Sequence, residues 1–187
     1  MFKKETYKQR RALLKKALGS GVYLFLGNDE LSLNYADSTF RYRQDSSFLY
    51  FFGLSFAGLS AIIDVDEDKE IIFGNELTID DIVWMGVQPT LKEKSEMVGV
   101  THTEPTVDLG KYLARAQKQG REIHYLPPYR PEHQLKLMDL LGIKPAAQKA
   151  SYKFMEAICN QRIYKSDEEL AEIDKSPSFS HSPIRSM

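Results

Sequence analysis

The sequence predicts an α/β fold in which helices flank a mixed β-sheet, and three observations carry that prediction. Short β-prone runs bounded by Gly, Asn and Asp alternate along the chain with segments whose apolar residues recur at helical spacing. Two of the β-prone runs face each other across an acidic turn, as the strands of a hairpin do. The chain also has 187 residues, 42% of them hydrophobic, which suffices to close one good core.

The elements follow in order. Lys3 to Leu18 is rich in Lys, Arg and Ala, and Leu13, Leu14, Ala17 and Leu18 gather on one face at helical spacing. Gly19-Ser20-Gly21 ends that helix, because glycine accepts the left-handed conformation a helix terminus needs. Gly21 to Leu26 (GVYLFL) reads as a buried strand and Phe48 to Phe52 (FLYFF) as a second one, with a long polar loop between them. Ala61 to Val65 pairs with Glu70 to Phe73 across Asp66-Glu67-Asp68. Beyond this hairpin, Leu109, Tyr112, Leu113 and Ala116 mark a helix, Glu122 to Leu126 a strand, and Leu137, Leu140 and Leu141 another helix. Helices alternating with strands around a hairpin specify a mixed sheet rather than a purely antiparallel one.

Ser166-Asp167-Glu168-Glu169 has the S-x-x-E form of a capping box and should start a new helix through Leu170 and Ile173. The composition then breaks. Ser176 to Met187 holds five serines and two prolines in twelve residues, too little apolar surface to offset ordering entropy, so a frayed tail is expected. The reading is therefore one domain over residues 1–165, followed over 166–187 by a helix start and a Ser/Pro-rich tail.

Composition and charge exclude several function classes. The formal net charge is -1 with 27% charged residues, so no basic face able to neutralise a phosphate backbone is implied, which argues against a nucleic-acid partner. The apolar runs are too short to span a bilayer and the N-terminus lacks a signal-peptide pattern, which points to a cytoplasmic location and no membrane partner. Cys159 is the single cysteine and is expected to be a buried, inert thiol.

Candidate constellations weigh in the same direction. Asp64-x-Asp66-x-Asp68 imitates the start of a calcium loop, but its sixth position is Lys69 instead of glycine and its twelfth is Asn75 instead of glutamate, so no calcium is assigned. Gly19-Ser20-Gly21 follows a helix and opens a strand, the reverse of a dinucleotide fingerprint. His102, His124, His133 and His181 are scattered without metal-ligand spacing, and Ser46-Ser47 lies outside a nucleophile elbow. No catalytic residue and no metal ligand is assigned. Trp84, the only tryptophan, sits in a short amphipathic turn or helix; burial is the default for a lone aromatic, and an interface role is the alternative. Arg43 and Asp45 could form a charge-assisted pair at the entrance to the FLYFF strand.

Asn34-Tyr35, followed by Tyr42-Arg43-Gln44-Asp45-Ser46-Ser47-Phe48-Leu49-Tyr50-Phe51-Phe52-Gly53, resembles the signature of the aminopeptidase P (Xaa-Pro aminopeptidase) family, with Arg43, Gln44, Asp45, Ser46, Phe48, Tyr50 and Gly53 as the matching residues. Ile71-Ile72-Phe73-Gly74 followed by Asp80 to Gly86, with the Trp-x-Gly at Trp84, is similar to the next block, and Gln161 to Leu170 resembles the family's R-x-x-K-S-x-E-E-I linker. The resemblance implies a creatinase-type N-terminal domain. It also implies that the linker leads into a metallopeptidase domain holding two manganese ions, which removes an N-terminal residue preceding proline through two-metal chemistry. No block of that domain is present, so the chain is expected to carry no cofactor of its own and to have that domain as its missing partner. In relatives the N-terminal domain supplies homo-oligomer contacts and part of the substrate pocket's wall, including a tryptophan that Trp84 matches. Creatinase or prolidase relatives share the plan, and the Arg43-Gln44-Asp45-Ser46 block leans toward aminopeptidase P. The expected role is a non-catalytic assembly and substrate-gating domain; the alternative is a stand-alone interaction module.

Overall fold

The computed structural model describes residues 2–35 and 38–175; the Ser/Pro-rich stretch and His181 lie outside the described residues. Eight α-helices and five strands are found there, in the order α1 (Lys4–Leu18), β1 (Val22–Leu26), α2 (Ser46–Phe52), β2 (Ser60–Asp64), β3 (Lys69–Phe73), α3 (Ile79–Met85), α4 (Leu91–Met97), β4 (His102–Glu104), α5 (Thr106–Lys118), β5 (Ile123–Tyr125), α6 (Pro131–Leu141), α7 (Tyr152–Ile163) and α8 (Asp167–Asp174). The strands form one mixed sheet in the order β4-β3-β2-β1-β5. The predicted hairpin is its centre: β2 pairs antiparallel with β3, in a register that sets Ile62 opposite Ile71. β1 pairs antiparallel with β2, and the two edges, β4 on β3 and β5 on β1, are parallel.

Both faces of this sheet are covered, and the period-2 alternation of the strands divides the core accordingly. Tyr23 and Phe25 of β1, Ala61 and Ile63 of β2 and Ile72 of β3 face a core closed by α1, α2, α4 and α7. Val22, Leu24, Ile62, Ile71 and Phe73 face the opposite core, closed by α5 and α6 through Leu109, Leu113, Leu137 and Leu141. A strand buried on both sides has no polar face, which is why GVYLFL reads as an unbroken apolar run.

Several expectations are corrected. Phe48 to Phe52 is not a strand but the body of α2. Asp45 caps it, its Oδ1 accepting from the backbone N–H of Ser47 and Phe48 at 2.9 Å each, and Gly53 closes it with a left-handed φ of 65°. Phe48, Phe51 and Phe52 are buried at i, i+3 and i+4, the helical stripe, whereas an alternating strand would have buried Tyr50 with Phe48 and Phe52. On α1 the buried face is Tyr7, Arg10, Arg11, Leu14 and Leu18, and Leu13 and Ala17 are exposed. The charged Arg10 and Arg11 occupy positions of that stripe, which rotates the buried face away from Leu13 and Ala17 relative to the purely apolar reading. Cys159 is exposed rather than buried, because the buried positions of α7 are Phe154 and Ile158.

Candidate functional site

The signature residues assemble one structural device around α2. The Gln44 side chain is buried and fully used by backbone: Oε1 accepts from the N–H groups of Asn28 and Asp45 at 2.8 and 2.9 Å, and Nε2 donates to the carbonyls of Leu54 and Phe56 at 3.2 and 3.1 Å. One amide thus pins the segment after β1 to the segments on either side of α2. Tyr42 adds a bond to the Phe56 carbonyl at 2.9 Å, and burial pushes its phenol pKa up to about 12. Gly53 is required twice over: its φ is left-handed, and a Cβ there would sit 2.3 Å from the Tyr7 ring. Arg43 contributes its carbonyl, which accepts from Asn28 Nδ2 at 2.8 Å, while its side chain is exposed; Asp45 spends its charge on the helix cap, so the expected Arg43–Asp45 pair does not form.

Behind α2 stand two buried arginines from α1. Arg11 is enclosed: Nε pairs with Glu70 at 2.7 Å, and its two terminal nitrogens donate to the carbonyls of Phe51 and Val98 at 2.8 and 2.9 Å. Burial lowers its pKa, opposed by the Glu70 carboxylate. Arg10 lies 3.9 Å over the Tyr50 ring, donates to the Tyr50 carbonyl at 2.9 Å, and meets Glu169 of α8 at 3.5 Å. The signal for Arg11 was its place in the Tyr7-x-x-x-Arg11-x-x-Leu14-x-x-x-Leu18 stripe; a guanidinium in an apolar stripe marks a buried pin.

Two grooves flank this device, separated by Arg162 of α7. One, of about 730 Å³, is walled by Phe2, Arg10, Leu49, Tyr50 and Gly53; the other, of about 620 Å³, by Leu126, Pro127, Met155, Ile158 and Ile163. Ser46 is exposed and lines both.

Trp84 lies elsewhere, on α3, and is 88% exposed, with Ile79, Val83 and Val87 also open to solvent. The structure does not bring it to the signature helix: α3 lines neither groove. The acidic hairpin turn is a clasp. Asp64, fully buried, accepts from Tyr112 at 2.5 Å and from Arg121; Arg121 also reaches Asp66 at 2.9 Å and Glu67 at 3.3 Å, and Lys15 holds Asp68 at 2.8 Å. Burial first, then the Asp64 carboxylate, raises the Tyr112 pKa; Asp66 is lowered by the Gly21 N–H and then by Arg121. Every carboxylate of the calcium-like spacing is therefore engaged by protein cations or hydroxyls. His124 stacks on Tyr23 at 4.5 Å, and His133 bonds the Gly27 carbonyl at 3.1 Å; burial lowers both pKa values. Among the described residues no group of three His, Cys, Asp or Glu could hold a metal ion, and no helix is long and apolar enough to cross a membrane.

A mixed five-stranded sheet between two helical layers, with a signature helix pinned to its neighbours by a buried amide and two buried arginines, defines an α/β domain. Residues 7–124 match the family model described as aminopeptidase P, N-terminal domain, and the chain belongs to that family. It is similar to a probable Xaa-Pro aminopeptidase of Metarhizium acridum, 24% identical over 185 residues, covering 94% of this chain and 34% of the relative. A second relative, from Metarhizium robertsii, is 28% identical over 101 residues, 54% of this chain and 22% of its own length. Among solved structures, aminopeptidase P from Escherichia coli superposes with a TM-score of 0.72 at 19% identity, over 91% of this chain and 41% of that one. Aminopeptidase PepP of Pseudomonas aeruginosa gives 0.73 at 20% identity, over 91% and 40%. At these identities the structural likeness is a likeness of fold, and the chain spans about two-fifths of the solved relatives and a third or less of the curated ones.

Proposed function

We propose that this domain serves assembly and substrate gating for a manganese-dependent Xaa-Pro aminopeptidase and carries out no hydrolysis itself. The reading rests on the family and on one observation: the tryptophan of the Trp-x-Gly block stands 88% exposed on a short helix with other exposed apolar side chains. An indole held in water at that cost is suited to meeting a second surface, where tryptophan is enriched among the residues that dominate binding. The residues present do not fit a pair of manganese ions, since the clustered carboxylates Asp64, Asp66 and Asp68 are taken up by Arg121, Tyr112 and Lys15. The metals of the family's chemistry belong, on this reading, to a partner metallopeptidase domain, in a cytoplasmic homo-oligomer.

The test is a two-part measurement on Trp84→Ala. In the isolated chain the unfolding free energy should change by less than about 0.5 kcal/mol, as for an ordinary surface substitution, against about 3 to 5 kcal/mol for a core tryptophan. In the chain joined in frame to a metallopeptidase domain, the change should impair turnover of longer Xaa-Pro peptides more than of dipeptides. Unaltered length selectivity would remove the gating role.

A further inference from the structure

Asp45 spends only one of its carboxylate oxygens on the cap of α2. Oδ1 accepts from the Ser47 and Phe48 N–H groups at 2.9 Å each, whereas Oδ2 has one long contact, the Tyr129 hydroxyl at 3.4 Å. Asp45 also lines a small cavity of about 30 Å³, whose other walls include Leu24, Leu26, Tyr129 and His133. A space of that size admits roughly one or two waters and no larger ligand.

His133 borders this cavity from α6. It is 5% exposed, its Nε2 lies 3.1 Å from the Gly27 carbonyl, and its ring stands edge-on to Tyr129 with 6.1 Å between centres. A carbonyl only accepts, so Nε2 carries the hydrogen of the neutral ring and Nδ1 is the nitrogen left to take up a proton. Nδ1 has no hydrogen-bond partner among the described residues. The charges around the ring are few. Lys136 on α6 and Arg130 at its start oppose a proton there, with Arg130 drawn toward Glu132 at 3.7 Å, while Asp45 and the Gly27 carbonyl favour one. Asp45 is thus the carboxylate to which a charged His133 responds, and it belongs to a different element.

We propose that His133 and Asp45 form a proton-operated latch between α6 and α2, in which protonated Nδ1 donates to a water in the shared cavity and that water donates to Asp45 Oδ2. Water bridges of this kind are nearly as favourable as direct hydrogen bonds. The neutral ring has no hydrogen to donate from Nδ1, so the latch is open above the His133 titration and closed below it. Closing it ties α6 to the signature helix without displacing the cap, because Oδ1 keeps the Ser47 and Phe48 N–H groups. The latch is remote in sequence from α3, and the inference is independent of the gating role given to Trp84.

A nuclear magnetic resonance titration of the full chain tests it, following the histidine ring protons and the Ser47 and Phe48 amides from about pH 7 to 5. In the wild type both amides should shift with the midpoint of His133. Asp45→Asn, which keeps a capping oxygen, should lower the His133 midpoint by about 0.5 or more on the pH scale, because the attracting charge is gone. His133→Gln should abolish the amide transitions. The midpoint of His124, which stacks on Tyr23 at the other end of β1, should be the same in the wild type and both variants. Amides that do not follow His133, or a His133 midpoint unchanged by Asp45→Asn, overturn the latch. A His124 midpoint displaced as far as that of His133 overturns it as well, since the effect of the substitution would then be a general rearrangement.

Discussion

Arg11 shows how one residue fixes the relation of four elements. Its guanidinium ties α1 to β3 through Glu70, to the end of α2 through the Phe51 carbonyl and to the end of α4 through the Val98 carbonyl. Removing one partner of a buried pair leaves the others desolvated and unpaired, so Arg11→Met should cost about 3 to 5 kcal/mol in urea unfolding. Adding Glu70→Leu should recover only part of that loss, because the two carbonyls stay without donors. Full recovery would mean that the ion pair, not the carbonyl bonds, carries the effect. His133 supplies a pH dependence. Burial lowers its pKa, and Lys136 and Arg130 push the same way, while the Gly27 carbonyl and Asp45 oppose them. A folded-state pKa below the unfolded value of about 6.5 means that the native state binds fewer protons. Its contribution is therefore intact above about pH 6.5 and lost as pH falls through the folded-state value. His133→Gln should flatten the decline of the urea midpoint between about pH 7 and 5, and an unchanged slope would assign that decline to other groups such as His124.

At the scale of the element, α2 carries the most information. Asp45→Ala should cost about 1 kcal/mol by leaving the Ser47 and Phe48 N–H groups without their acceptor, and Asp45→Asn should keep most of the cap. Equal losses in both, read from denaturant midpoints, would move the effect from capping to charge. FLYFF misleads because aromatics favour strands and the run is short, yet the deciding residues were present: an Asp cap before it, a Gly after it, and buried positions three and four apart. The Thr90-x-x-Glu93 box of α4 was equally legible, being the same pattern as Ser166-x-x-Glu169. By contrast α7 buries only Phe154 and Ile158, too sparse a stripe to read, and β4 is three residues whose strand identity depends on β3 beside it. The hairpin, β1, β5, α5 and α6 were readable because local pattern and tertiary environment agree there.

Across the whole molecule, the family and fold were legible from an ordered motif, whereas the physical work of the motif was not. Gln44, Tyr50 and Gly53 meet Asn28, Arg10 and Tyr7, residues distant in sequence, so their task of pinning α2 emerges only in three dimensions, whereas Asp45 caps the helix locally. Arg162 belonged to a recognised linker motif, but its place between two grooves likewise required the fold. The central proposal is that the chain is a recognition and assembly domain without hydrolytic chemistry, and what supports it is the set of carboxylates held in clasps and the exposed tryptophan. The most direct measurement is release of the N-terminal residue from an Xaa-Pro peptide by the highly purified chain, with manganese added, and again after chelation. The account predicts a rate equal to that of peptide in buffer under both conditions. Turnover that scales with the concentration of this chain, stops with chelator and returns with manganese would contradict it.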